Sequence, residues 1–189
     1  MRKIIVHEFI TLDGVIQAPG SPTEDTDGGF THGGWTIPYW HGDIGAHFGQ
    51  IFADADTLLL GRKTWQTHGE AFEPNPAEDP FNGFKKFVAS STLKSADAWR
   101  DSTLIHGNVI EEVRKLKSQP GKNIIMDGSS VLVQALIEND LVDEIALHVY
   151  PLVLGNGKRM FPDGKRVNLN LIESSALPTG VVYQRFQLT

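Results

Sequence analysis

Asn123-Ile124-Ile125-Met126 runs without a linker into Asp127-Gly128-Ser129-Ser130 and on into Val131-Leu132-Val133-Gln134-Ala135-Leu136. The first four residues are the short apolar run of a strand buried on both faces. Beyond Gly128 the apolar spacing lengthens, and Val131, Leu132, Ala135 and Leu136 predict the inner face of a helix. The same design occurs earlier, where Thr57-Leu58-Leu59-Leu60 leads into Gly61-Arg62-Lys63-Thr64. At such a hand-over, free backbone N–H groups and the positive end of the helix dipole face outward, which suits a phosphate. Glycine admits a ligand close to the backbone, and Ser or Thr can cap the helix or donate to phosphate oxygens. Capping alone explains either turn taken singly. The pair, with Arg62 and Lys63 adjacent in an acidic chain, points to a ligand with two phosphate groups.

Working outward, Met1–Ile10 predicts a strand, with Ile4, Ile5 and Val6 as its apolar run. The stretch from Thr11 to Trp40 is rich in Gly, Pro and Asp and reads as a long loop, of the kind that serves function. His41 to Asp54 predicts a helix with Ile44, His47, Phe48, Ile51 and Phe52 on one face. Strands are expected at Phe87–Ser90 and Thr103–His106, and a helix with the stripe Val109, Ile110, Val113 and Leu116 follows. From Val142 the period becomes two: Ile145, Leu147 and Val149 face one way, and Glu144, Ala146, His148 and Tyr150 the other. Leu169–Glu173 and Val181–Leu188 predict a closing antiparallel pair. Strand–helix alternation followed by hairpins implies one α/β domain over residues 1–189, with a mixed sheet.

Composition narrows the chemistry. Among 189 residues, 17 basic against 23 acidic give a net charge of −6, which argues against a nucleic-acid partner. The chain has no cysteine, so thiolate nucleophiles, zinc–cysteine sites and iron–sulfur clusters are excluded. The histidines show no metal-ligand spacing, and no metal is expected. No leader or membrane-length apolar run is read, and the expected location is cytoplasmic. Gly155-Asn156-Gly157 begins like a dinucleotide fingerprint, but Met160 stands where its last glycine belongs. Phe87-Val88-Ala89-Ser90-Ser91-Thr92 ends a strand in three hydroxyls, placed to accompany Arg62 and Lys63 around a ribose phosphate. A 2′-phosphate calls for cations, whereas a free ribose diol calls for a carboxylate.

Five motifs then occur in order: Thr11-Leu12-Asp13-Gly14-Val15-Ile16, Gly61-Arg62-Lys63-Thr64-Trp65, Val88-x-Ser90-x-Thr92-Leu93, Met126-Asp127-Gly128-Ser129 and Pro151-Leu152-Val153-Leu154-Gly155-Asn156-Gly157. Across essentially the whole chain this resembles the dihydrofolate-reductase-like superfamily. The branch it is most similar to is the C-terminal reductase domain of the riboflavin-synthesis deaminase-reductase. The resemblance implies a mixed, mostly parallel sheet flanked by helices with C-terminal antiparallel strands, NADPH as cofactor, and a homodimer. It implies that Gly61, Arg62, Lys63 and Thr64 hold the 2′-phosphate and pyrophosphate, with Ser90 and Ser91 at the adenosine end. Gly128, Ser129, Ser130 and Val131 would take the pyrophosphate, while Phe9, Asp13 and Gly14 lie near the nicotinamide. No arginine lies between Arg62 and Arg100 to hold a folate tail, and without cysteine the zinc deaminase chemistry is excluded.

The expectation is therefore an NADPH-dependent reductase of a small planar or heterocyclic substrate, pyrimidine- or pterin-like. The alternative is a non-catalytic NADP(H)-binding module. Trp35, Tyr39, Trp40 and His41 are the candidate substrate wall, or else a lid packed on the core. Asp13 is the candidate catalytic residue, as a proton donor or as the simple anchor of an Asp-Gly turn. Apolar residues on both faces of Val142–Tyr150 and Val181–Leu188 predict a dimer built on those strands.

Overall fold

The computed structural model describes residues 1–189. Its elements are β1 (Ile4–Thr11), α1 (Gly42–Ala53), β2 (Ala55–Gly61), α2 (Arg62–Phe72), β3 (Lys85–Ala89), β4 (Ser102–Ile105), α3 (Val109–Ser118), β5 (Asn123–Met126), α4 (Ser130–Glu138), β6 (Glu144–Tyr150), β7 (Leu169–Ala176) and β8 (Val182–Leu188). All eight strands form one sheet in the order β4-β3-β2-β5-β1-β6-β8-β7. The first six pair in parallel, and β8 and β7 close the sheet antiparallel. This is the mixed, mostly parallel α/β fold that the sequence predicts.

The central strands are apolar on both faces because helices cover both. Ile44 and Ile51 of α1 and Trp65 of α2 pack with Ile5, Leu58, Leu60 and Ile125. On the other face Val113 and Leu116 of α3, with Leu132, Val133, Leu136 and Ile137 of α4, pack on Ile4, Val6, Leu59 and Met126. Each such side chain contributes roughly 1.5–3 kcal/mol by leaving water. The inner face of α4 differs from the expected one: Val131 is 75% exposed and Val133 is fully buried. The bulkier apolar stripe Leu132, Val133, Leu136 and Ile137 faces the sheet, which turns Val131 outward.

The segment from Thr11 to Trp40 is anchored along much of its course. It contains two single 3-10 turns, Asp27–Gly29 and Ile37–Tyr39, and it buries Val15, Ile16, Ala18, Phe30 and Trp35. At the far edge, β8 is sandwiched between β6 and β7, so the free edge is β7. A β-bulge interrupts β7 between Leu171 and Glu173, and Leu171 and Ile172 are both exposed. No helix is long and apolar enough to cross a membrane.

Candidate active site

The chain leaves β2 through α2 on one face and enters β3, whereas it leaves β5 through α4 on the other face and enters β6 beyond β1. Adjacent strands thus send their connections in opposite directions. Outside the carboxyl ends of such a strand pair lies the crevice where open α/β sheets bind ligands. Both glycine turns meet there. A Cβ on Gly61 would collide with Ser129 Oγ, and one on Gly128 would lie 2.7 Å from Thr64 Oγ1. Gly128 also has φ +68°, a conformation that side chains disfavour.

Helix starts differ in a telling way. His41 caps α1 by accepting from Asp43 N, and Asn108 caps α3 by accepting from Glu111 N. At the starts of α2 and α4 no side chain caps the helix, although Ser129 occupies the cap position. Two uncapped, positively polarised N-termini therefore converge on one crevice.

The two cations of α2 have separate partners. Arg62 donates to Gln66 Oε1 at 2.8 Å. Lys63 instead pairs with Asp27 and lies 3.5 Å from Asp25, and Lys158 reaches the same aspartates at 2.8 and 2.5 Å. Hydrogen bonds from Lys158 and Lys63 bring the Asp27 carboxyl down to about 2. Lys63 is thus turned toward the long loop. The end of β3 pairs Ala89 with Gly61, so Ser90 and Ser91 leave β3 at the level where Arg62 opens α2. The Ser90 hydroxyl accepts from the backbone N–H groups of Thr92 and Leu93, at 3.1 and 3.0 Å, and Ser91 is exposed.

Asp13 is set as an anchor. Its carboxylate accepts from Thr11 Oγ1 at 2.6 Å, Gly155 N at 2.8 Å and Leu154 N at 3.2 Å. Burial pushes its pKa up, but those three donors outweigh burial and hold it below the ordinary aspartate value. These contacts are those of an anchor for the Asp13-Gly14 turn. Gly14, at φ +83°, completes this turn by donating to Thr11 O and accepting from Met160 N.

The expected aromatic wall divides. Trp35 is in the core, edge-on to Tyr150 with its indole N–H on Gln17 O at 2.8 Å. His41 is a helix cap. Trp40 stands 58% exposed, Tyr39 is half-buried against Tyr150 and His41 is partly exposed. Phe9 is half-buried amid Phe48, His148 and Tyr150.

Titratable residues that the sequence reading left aside lie beside the Gly128 turn. Glu8 accepts from Gly128 N at 2.9 Å. Burial, reinforced by neighbouring Asp127, raises its pKa well above the carboxylate range. Asp127 shows the opposite balance: burial pushes it up, but the hydrogen bond from His68 at 3.0 Å and attraction to His68 and His7 bring it down. The surroundings push these two adjacent carboxyls in opposite directions. For Glu8 and its neighbour His7 the signal in the sequence was a histidine and a glutamate inside an otherwise apolar strand.

A family model, the RibD C-terminal domain, matches residues 2–183. The chain belongs to the RibD C-terminal domain family. This family member is 33% identical to the uncharacterised protein YyaP of Bacillus subtilis, over 96% of its own length and 92% of the relative's. Among solved structures it resembles a pyrimidine reductase-like protein of Corynebacterium diphtheriae at 11% identity, covering 100% of this chain and 92% of that one, with a TM-score of 0.67. It also resembles dihydrofolate reductase of Enterococcus faecalis complexed with NADP(H), at 16% identity, 99% and 96% coverage and a TM-score of 0.65. Those two likenesses show a dihydrofolate-reductase-like fold for this RibD C-terminal domain family member.

Proposed function

We propose that the protein is an NADPH-dependent reductase of a small planar heterocycle, pyrimidine- or pterin-like. The observation that carries this reading is the convergence of two uncapped helix N-termini on glycine turns where Cβ atoms have no room. Free N–H groups at two neighbouring helix N-termini suit a pyrophosphate, and family membership supports an oxidoreductase. Arg62, with Lys63, Ser90 and Ser91, would hold the 2′-phosphate. Lys63 then exchanges Asp25 and Asp27 for the ligand. Gly128, Ser129, Ser130 and the outward-facing Val131 would hold the pyrophosphate and its flank, and Phe9 and Gly14 lie toward the nicotinamide end. When bound, NADPH supplies a hydride to an electron-poor carbon of the substrate. The accompanying proton is handled by Asp127, with His68 and Glu8 beside it. Tyr39 and Trp40 offer flat faces to the substrate ring. The free edge of β7 supports a homodimer.

Loss of NADPH absorbance, followed by stopped flow against a panel of oxidised pyrimidines and pterins, tests this. Turnover of at least one compound is expected. Binding of NADPH with no turnover across the panel would instead favour a nucleotide-binding module without catalysis.

A further inference from the structure

Three histidines form a continuous row across the sheet. His7 of β1 is 2% exposed, and its Nε2 lies 3.3 Å from His148 Nδ1 on β6. His148 Nε2 lies 3.1 Å from Nδ1 of His47, on the inner side of α1. His47 Nε2 lies 3.4 Å from the hydroxyl of Ser175, on the exposed edge strand. At the inner end, His7 Nδ1 stands 3.9 Å from Asp127 Oδ1, and the other oxygen of that carboxylate accepts from His68. The row therefore starts at the protein surface and ends at the Gly128 turn. From the geometry we infer that His47, His148 and His7 are a proton relay joining solvent to the Asp127 carboxylate. The inference rests on the reductase reading, because a hydride acceptor needs a proton from somewhere.

The atoms close consistently. A neutral imidazole has one donor and one acceptor nitrogen. With every ring protonated on Nδ1, His47 donates to His148, His148 donates to His7, and His7 points its N–H at Asp127. A proton arriving at His47 Nε2 from solvent, directly or through the Ser175 hydroxyl as it takes up a solvent proton, sends the Nδ1 proton of His47 to His148 Nε2. The Nδ1 proton of His148 then passes to His7 Nε2, and that of His7 to Asp127 Oδ1 once side-chain motion closes the 3.9 Å between them to hydrogen-bond distance. One proton enters, one is delivered, and no ring keeps a charge. The rings return to their first tautomers by rotation. Such a row must rest neutral. Burial lowers His7 to about 4 and His148 to about 2, against the pull of Asp127 on His7 and with mutual repulsion among the histidines. Stacking of His47 on Tyr183, ring centroids 4.0 Å apart, keeps the outer ring aligned. A core polar pair satisfying only itself would stop at His7 and His148 and have no reason to continue to the surface.

Solvent exchange of the ring N–H protons, read by NMR on the cofactor-free protein labelled with nitrogen-15, tests the relay without any substrate. In the native protein the His7 ring proton is expected to exchange on the order of tenfold faster than the amides of Val6 and Ile5, which report opening of the strand. His148→Phe keeps an aromatic ring but breaks the row, and should slow that exchange to the amide rate. His47→Gln keeps a hydrogen bond at the surface end and should slow it as well, and it decides the matter if His148→Phe fails to fold. Exchange of the His7 ring at the amide rate in the native protein, or at an unchanged rate in both variants, overturns the relay. NADPH titration of the same samples judges the reductase reading separately, since neither variant touches the phosphate turns.

Discussion

Asp13 and Asp127 are both motif aspartates, and their neighbours give them different work. Asp13 meets backbone and hydroxyl donors, so it serves as an anchor joining the turn after β1 to Leu154 and Gly155. Asp13→Asn is expected to leave turnover and its pH profile intact while costing about 1–3 kcal/mol of stability by denaturant titration. Its folded pKa lies below the unfolded value, so the anchor's contribution is complete above the unfolded aspartate pKa. It is lost as pH falls through the lower folded value, and acid unfolding should be less steep in the variant. Asp127→Asn should instead lower kcat by roughly 10²-fold with NADPH affinity unchanged, which steady-state kinetics would read. Sequence alone left Asp13 divided between these roles, because an Asp-Gly pair reports a turn and stays silent on which donors fold back onto it. Glu8 and His7 were hidden for a related reason. A strand pattern shows that residues are buried, and only the register of β1 against β5 and β6 shows what they meet.

At the level of elements, the strand-to-helix turns were legible because each is written in one contiguous stretch. Their contact with each other was not, since Gly61 and Ser129 are brought together only by the pairing of β2 with β5. That contact predicts a coupling. Gly61→Ala drives a methyl into Ser129 Oγ and should weaken NADPH binding by roughly tenfold, with a stability loss of about 1–3 kcal/mol. In a Ser129→Ala background the same change should cost clearly less, and a double-mutant cycle by calorimetry would show the difference. Additive effects would mean that the turns do not press on each other. The inner face of α4 is one residue on from the expected one, because the stripe Leu132, Val133, Leu136 and Ile137 buries more apolar surface than one built on Val131 and Ala135. The loop from Thr11 to Trp40 was read correctly in extent, but its composition concealed how firmly Trp35 and Phe30 tie it to the core.

For the whole molecule, the sheet places its two unfinished edges at opposite ends, β4 and β7. Leu171 and Ile172 of β7 are exposed, Val182, Phe186 and Leu188 of β8 are half-buried, and most of β6 is buried. A strand's own alternation cannot reveal which strand ends up outermost. Light scattering at micromolar concentration should give a dimer mass, and Ile172→Lys should give a monomer. The central claim is that the crevice between β2 and β5 is an NADPH site whose Arg62 reads the 2′-phosphate. The direct measurement is fluorescence titration of NADPH and NADH with the native protein and with Arg62→Ala. Native protein should bind NADPH at least about tenfold more tightly than NADH, and Arg62→Ala should remove most of that preference, in line with about 1.5–3 kcal/mol for a charge-assisted phosphate contact. Equal affinity for the two dinucleotides, or an equal loss for both in the variant, would contradict it.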